Sequence, residues 1–313
     1  MAKERIIVGS RGSRLALAQA NWVNSSLERN FSGLSAEIKI IKTSGDVITD
    51  APLSQIGGKG LFTKEIEEAL LGRWIHLAVH SLKDLPTQLP SGLCLAAITA
   101  REDARDAFVS KRFGSLAELP AGARIGTSSL RRQSQLLHLR HDLRILNLRG
   151  NLDTRLRKLE TGQYDGIVLA SAGLIRLGHG DLVTAPIPVE DICPAIGQGA
   201  LGIEARTDDT FILERVRSLN HPETQLAAEA ERAFLKRLGG GCQVPIAGYA
   251  QTEGHRLRIR GVIASPDGLQ FFLDSEEAKI EGCNDAQAVG RKLAEKMLTA
   301  GAQTIVDAIF SRT

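Results

Sequence analysis

The sequence predicts an α/β protein: two related lobes on mostly parallel sheets, followed by a small α+β domain with an antiparallel sheet. Three observations carry this expectation. A unit of strand, glycine, hydroxyl-rich turn and helix occurs twice, at residues 5–28 and 123–139. The segment 72–85 (GRWIHLAVHSLKDL) aligns without a gap on 162–175 (GQYDGIVLASAGLI), at an offset of 90. Beyond Pro222 the pattern changes to an alanine-rich helix and short alternating apolar segments. Strands alternating with helices pair in parallel and are covered on both faces, and ligands then bind outside the carboxyl ends of the strands.

Residues 5–9 (RIIVG) read as a short buried strand. Ser10, Arg11, Gly12 and Ser13 form a turn, and Ser13 is a natural cap for an amphipathic helix over 14–28. KTSGD (42–46) lies over NLRGN (147–151) at an offset of 105, so the first half holds extra residues before the 90-offset match begins. They fall in 47–62, with Asp50, Pro52, Gly57, Gly58 and Gly60, and read as a mobile glycine-rich lid. A strand over 75–79 leads to HSLKDLP, and a strand over 123–126 leads to Thr127, Ser128, Ser129 and a helix over 130–139. In the last domain a helix spans 223–238, and strands are expected over 244–250, 257–264 and 269–273. Ser265-Pro266-Asp267-Gly268 joins the last two as a hairpin turn. Helices over 285–300 and 304–310 close the chain.

At 313 residues the chain has room for two or three domains, and 43% hydrophobic with 24% charged residues is an ordinary globular composition. The first residues carry charge but no apolar core of a secretory signal, and no apolar run reaches the ~18 residues of a spanning helix. The expectation is a cytoplasmic protein. The four cysteines form no CxxC pair and no histidine cluster has zinc spacing, so no metal is expected. A net charge of +3 gives no global field for nucleic acid, and 4% aromatics are too few for base-stacking platforms. Locally, residues 124–158 hold eight Arg and one Lys against Asp142 and Asp153. That excess points to a small anionic ligand.

Three stretches carry candidate chemistry. Thr127-Ser128-Ser129-Leu130-Arg131-Arg132 opens a helix whose free N–H groups and paired guanidinium groups suit carboxylate or phosphate, or else form a solvated capped face. In His80-Ser81-Leu82-Lys83-Asp84-Leu85-Pro86, Lys83 and Asp84 are either a surface ion pair or a cleft pair in which the carboxylate stabilises a cation and shuttles protons. In GGGCQVP (239–245), three glycines and Pro245 bracket Cys242; the thiol is either a small buried hydrophobe or a displayed sulfur. No HExxH, GxSxG or Walker motif is present.

HSLKDLP, GTSSLRRQ, the NLRGN–TRL run, PAIGQGALGIE and GGGCQVPI together resemble the porphobilinogen deaminase (hydroxymethylbilane synthase) family, in order and over essentially the whole chain. The resemblance implies two periplasmic-binding-protein-like (type II) lobes and a third domain. Residues 1–99 with 200–217 would form lobe 1 with its lid, 100–199 an anion-binding lobe 2, and 222–313 the cofactor-attachment domain. It implies a transferase that joins four porphobilinogen units head to tail on a dipyrromethane primer held by a thioether to Cys242. Asp84 would be the catalytic carboxylate. Lys83, Ser129, Arg131 and Arg132, with Asp84, would bind the cofactor. Arg11, Ser13, Gln19, Lys59, Thr127, Arg149, Arg155, Arg176 and Gln198 would bind substrate. The resemblance also implies a monomer that hands its product to uroporphyrinogen-III synthase. Gln55 stands where some relatives carry a lid lysine, while Leu82 and Leu85 preserve the volume of the residues they replace. A non-catalytic two-lobed carboxylate binder is the alternative, and it leaves the cysteine domain unexplained.

Overall fold

The computed structural model describes residues 4–47, 60–240 and 244–310. In chain order the first elements are β1 (Glu4–Ser10), α1 (Arg14–Asn30), β2 (Leu34–Ile40), α2 (Ser44–Val47), α3 (Lys64–Leu71), β3 (Leu77–Ser81) and β4 (Leu93–Ile98). Next come β5 (Asp106–Val109), β6 (Arg124–Gly126), α4 (Leu130–Leu139), β7 (Arg144–Leu146), α5 (Leu152–Glu160), β8 (Gly166–Ala170), α6 (Ser171–Arg176) and β9 (Ala185–Pro186). The chain then returns through β10 (Leu201–Arg206) and α7 (Thr210–Val216). It ends with α8 (Pro222–Arg237), β11 (Ile246–Glu253), β12 (Arg256–Ala264), β13 (Phe271–Lys279), α9 (Cys283–Met297) and α10 (Gln303–Phe310).

Two five-stranded sheets share one plan, β2-β1-β3-β10-β4 in the first lobe and β7-β6-β8-β5-β9 in the second. In each, the first three strands are parallel and the fourth is antiparallel to both its neighbours. The residues matched at an offset of 90 therefore occupy equivalent strands, β3 and β8. The chain crosses between lobes twice, through residues 99–105 and 187–200. Each crossing delivers the antiparallel strand of the lobe it enters, β5 or β10. The expected class is borne out, including the antiparallel third sheet β11-β12-β13.

Local chemistry starts the helices, α1 and α4 where the sequence signals placed them and α5 where none was read. Ser13 accepts the Ala16 N–H at 3.3 Å, Ser129 accepts the Arg132 N–H at 3.4 Å, and Asn151 accepts the Thr154 N–H at 2.9 Å. Each satisfies a donor that the first helical turn leaves without an intrahelical partner. Strand bounds differ from expectation in places: β11, expected over 244–250, runs over Ile246–Glu253, and two further shifts have a clear cause. β3 starts two residues late because Ile75 packs under α3 and the His76 N–H joins the Ile7 carbonyl before the ladder with β10 begins. That shift places Ser81 at the strand end. β13 runs on through polar residues to Lys279, because as an edge strand it needs only its pairing to β12 and keeps one face in solvent.

The third domain packs α8 and α9 beneath its sheet, around Phe234, Leu257, Ile259 and Leu293. The helices cross so closely that a Cβ at Gly290 would lie 2.0 Å from the Ala230 carbonyl oxygen. The domain is fastened to both crossings. Fully buried Glu231 of α8 accepts the Gly197 N–H at 2.6 Å, the Ala250 N–H at 2.8 Å and the Arg101 guanidinium at 2.8 Å. The β12–β13 hairpin rests on α4, where the His138 and Phe271 rings stack at 3.8 Å and Gln133 donates to the Pro266 carbonyl at 3.1 Å.

Candidate active site

The candidate side chains gather at the carboxyl ends of the strands of both lobes. From the first lobe come the loop after β1 with Arg11 and Ser13, and the turn Leu82–Asp84 after β3. From the second come Thr127 and Ser129 after β6, Arg149 and Arg155 around the start of α5, and Arg176 at the end of α6. Gln198 enters from the second crossing.

At the centre lies a residue that sequence reasoning missed. Asp106, the first residue of β5, is fully buried. One carboxylate oxygen accepts Arg131 at 2.7 Å; the other accepts Arg132 at 2.8 Å and the Gln198 amide at 2.9 Å. Arg131 also donates to the Cys193 carbonyl at 2.7 Å and Arg132 to the Val168 carbonyl at 3.1 Å. Burial pushes the Asp106 carboxyl up, but Arg131 and Arg132 outweigh that and hold it well below the usual carboxylate range. The arginine pair is thus a preset scaffold with one net positive charge, not two open grips. The available signal was an aspartate opening the apolar run DAFV.

Gln198 links this cluster to the Leu82–Asp84 turn, since its carbonyl accepts the half-buried Lys83 ammonium at 3.3 Å. Burial pushes the Lys83 ammonium down to about 8; Asp84 and Asp106 oppose the shift, and Arg132 and Arg131 add to it. Lys83 loses its charge as pH rises through that value, so an anion held by it loses its partner. We expect kcat/KM for an anionic substrate to fall above about pH 8, and Lys83→Arg to move that alkaline limb upward. An unmoved limb in the arginine variant refutes the assignment.

Asp84 ends the turn and is exposed. It acts across the cleft, raising the pKa of Arg155 on α5, which burial, Arg132 and Arg149 together bring down to about 10. Arg155 donates to the Gly150 carbonyl at 2.8 Å. Buried Gln19 holds the Ser81 hydroxyl at 2.9 Å, fixing the strand end beside the turn. Arg176 bridges lobe and crossing by donating to the Gly199 carbonyl at 2.6 Å. Arg11 lies 4.1 Å over the Phe62 ring and donates to Asp46 at 3.1 Å. Thr127 turns inward to accept the Ser129 N–H at 3.2 Å. Lys59, Gln55, Cys242 and most of the expected lid lie outside the described residues.

The basic excess of residues 124–158 is not one field. Arg124 pairs with Asp165 at 3.1 Å and Arg140 with Asp142 at 2.6 Å, both away from the cleft elements. The cations that meet at the cleft are Lys83, Arg131, Arg132, Arg149 and Arg155, as their mutual influence shows. Arg14 and Asp153 join α1 to α5 at 2.8 Å, an exposed and therefore weak inter-lobe contact.

The family model described as "Porphobilinogen deaminase, dipyromethane cofactor binding domain" matches residues 6–214, and "Porphobilinogen deaminase, C-terminal domain" matches 225–299. Curated proteins named porphobilinogen deaminase include one from Geobacter sulfurreducens, 51% identical over 100% of this chain and 97% of the relative. Another, from Pelotomaculum thermopropionicum, is 52% identical over 97% of this chain and 96% of the relative. A periplasmic substrate-binding protein structure from Coxiella burnetii superposes with a TM-score of 0.44 at 16% identity, covering 72% of this chain and 96% of that one. With both family models in register and half of all residues identical end to end, this chain belongs to the porphobilinogen deaminase family.

Proposed function

We propose that Asp84 is the catalytic carboxylate and that the cleft between the lobes is where porphobilinogen units are joined. The protein is a transferase, hydroxymethylbilane synthase. It condenses four porphobilinogen molecules head to tail, releases ammonia at each step, and lets water release the linear tetrapyrrole hydroxymethylbilane. The observation that carries the site assignment is the exposed Asp84 carboxylate held opposite Arg155 and beside Lys83, with the buried Arg131–Asp106–Arg132 cluster behind.

A bound dipyrromethane supplies the terminal pyrrole carbon onto which the chain is built. The residues present suit such a group: the Nε of Arg132 is buried and has no hydrogen-bond partner among the described residues, and the cluster around it keeps positive charge for acetate and propionate arms. We assign the thioether to Cys242, arm binding to Lys83, Ser129, Arg131 and Arg132, and ring N–H binding to Asp84. Substrate carboxylates fall to Arg11, Ser13, Thr127, Arg149, Arg155 and Arg176, supported by Gln19, Gln198 and Lys59.

When the C–N bond of a porphobilinogen's protonated aminomethyl group breaks, nitrogen leaves as neutral ammonia with the bonding pair and the ring is left cationic. Asp84 accepts hydrogen bonds from the ring N–H and offsets that charge, an effect worth about 3 kcal/mol when the group is preorganised. The attacking pyrrole carbon must later lose its proton, and we assign its acceptance to Asp84.

We take the working units to be 1–99 with 200–217, 100–199, and 222–313. Among the described residues no helix is long and apolar enough to cross a membrane. We place the enzyme in the cytoplasm as a monomer whose product passes to uroporphyrinogen-III synthase. Intact mass spectrometry tests the core assignment. We expect the native protein to exceed its sequence mass by a two-pyrrole adduct and Cys242→Ala to match its sequence mass. A bare mass for the active native protein overturns it. The matched cofactor-binding domain removes the non-catalytic binder from consideration.

A further inference from the structure

Helix α8 runs into Gly239 and Gly240, directly before the segment that contains Cys242. Midway along it two adjacent charged residues are buried, and they serve different elements. Glu231 gathers both inter-lobe crossings, as described above. Arg232, 9% exposed, donates from Nη1 to the Leu85 carbonyl at 3.2 Å and from Nη2 to the Pro86 carbonyl at 2.7 Å. Those carbonyls are the first two after Asp84.

The turn carrying Lys83 and Asp84 is therefore held at both ends. At its entry the Leu82 N–H joins the Ala200 carbonyl at 3.0 Å, and the Leu85 N–H closes the turn on the Leu82 carbonyl at 3.2 Å. At its exit stands Arg232. Beneath it, Leu82 and Leu85 pack against Ala228, one helical turn before Arg232 on α8. A planar guanidinium can hold two successive carbonyls in fixed geometry, which a single ammonium cannot.

We propose that Arg232 is a positioning residue for the condensation. Through the Leu85 and Pro86 carbonyls it sets the Asp84 turn in register with the helix that precedes the Cys242 segment in the chain. The inference rests on the roles of Asp84 and Cys242 assigned above. Reacting groups held on two domains need such a brace, because a misplacement of about 1 Å costs about 10²-fold in rate.

The test uses the holoenzyme with Arg232→Met, which keeps the apolar stem, and Arg232→Lys, which keeps the charge. Intact mass, thermal midpoint, kcat and KM are measured for each. We expect both variants to carry the two-pyrrole mass. Arg232→Met should lose roughly 10- to 100-fold in kcat with KM changed less than about threefold, and Arg232→Lys should recover part of the loss. A Met variant with lowered thermal midpoint but kcat within about twofold of the parent makes Arg232 simple domain adhesion and overturns the proposal. Loss of the two-pyrrole mass in both variants also overturns it, by moving the role to primer assembly. Absence of that mass from the parent would instead strike the underlying reading of Cys242.

Discussion

Replacing Asp84 by alanine is expected to leave a folded protein that still binds porphobilinogen but forms product at least about 10²- to 10³-fold more slowly. The side chain is exposed, so its removal opens no cavity. What disappears is the one carboxylate on the Leu82–Asp84 turn, the group proposed to offset charge on each reacting ring. A second effect follows from its neighbour. Asp84 supports the charged form of Lys83, so its loss should carry the Lys83 ammonium further below about 8 and weaken carboxylate binding in mildly alkaline solution. Asp84→Glu should retain more activity than alanine and less than the parent, because one added methylene displaces the oxygens without removing them. Near-normal turnover by the alanine variant takes Asp84 out of the chemistry.

Asp106→Ala should do its damage through the fold. Deleting one member of a buried ion pair typically costs about 3–5 kcal/mol, and here the deletion leaves two guanidinium groups facing each other without their counter-charge. Chemical denaturation should show that loss, and the two-pyrrole mass should fall in occupancy because Arg131 and Arg132 no longer hold their positions. The pH dependence has a definite sign. The Asp106 carboxyl is held below its unfolded value, so its contribution is complete above about pH 4 and drains away as pH falls further. Asp106→Asn should flatten that acid limb. A denaturation free energy equal to the parent's would show that the cluster adds nothing to stability.

The parts legible in the sequence were those with local causes. The α4 start follows from Ser129 and the apolar spacing behind it, and α8 follows from the pattern change at Pro222. The lobe repeat was readable because β3 and β8 fill equivalent places and keep the same run of side chains facing the core. Asp106 was not legible, because its partners are 25 and 26 residues away and nothing in DAFV distinguishes a buried counter-ion from a strand edge. Arg124 likewise counts in the basic excess of residues 124–158, while its partner Asp165 lies 41 residues on. Glu231 and Arg232 sit in the alanine-rich AEAERAF, where helical periodicity is plain but the destination of each charge depends on the docking of three domains.

The double crossing also sets an order of events at the ribosome. Strand β10 lies between β3 and β4, so the first lobe's sheet keeps a gap until residue 206 has been synthesised. The second lobe owns all five of its strands once residue 186 is out. The later-made half of the cleft can therefore close first, and the N-terminal half must wait, with an unfilled slot in its sheet, for a strand translated after its neighbour is complete.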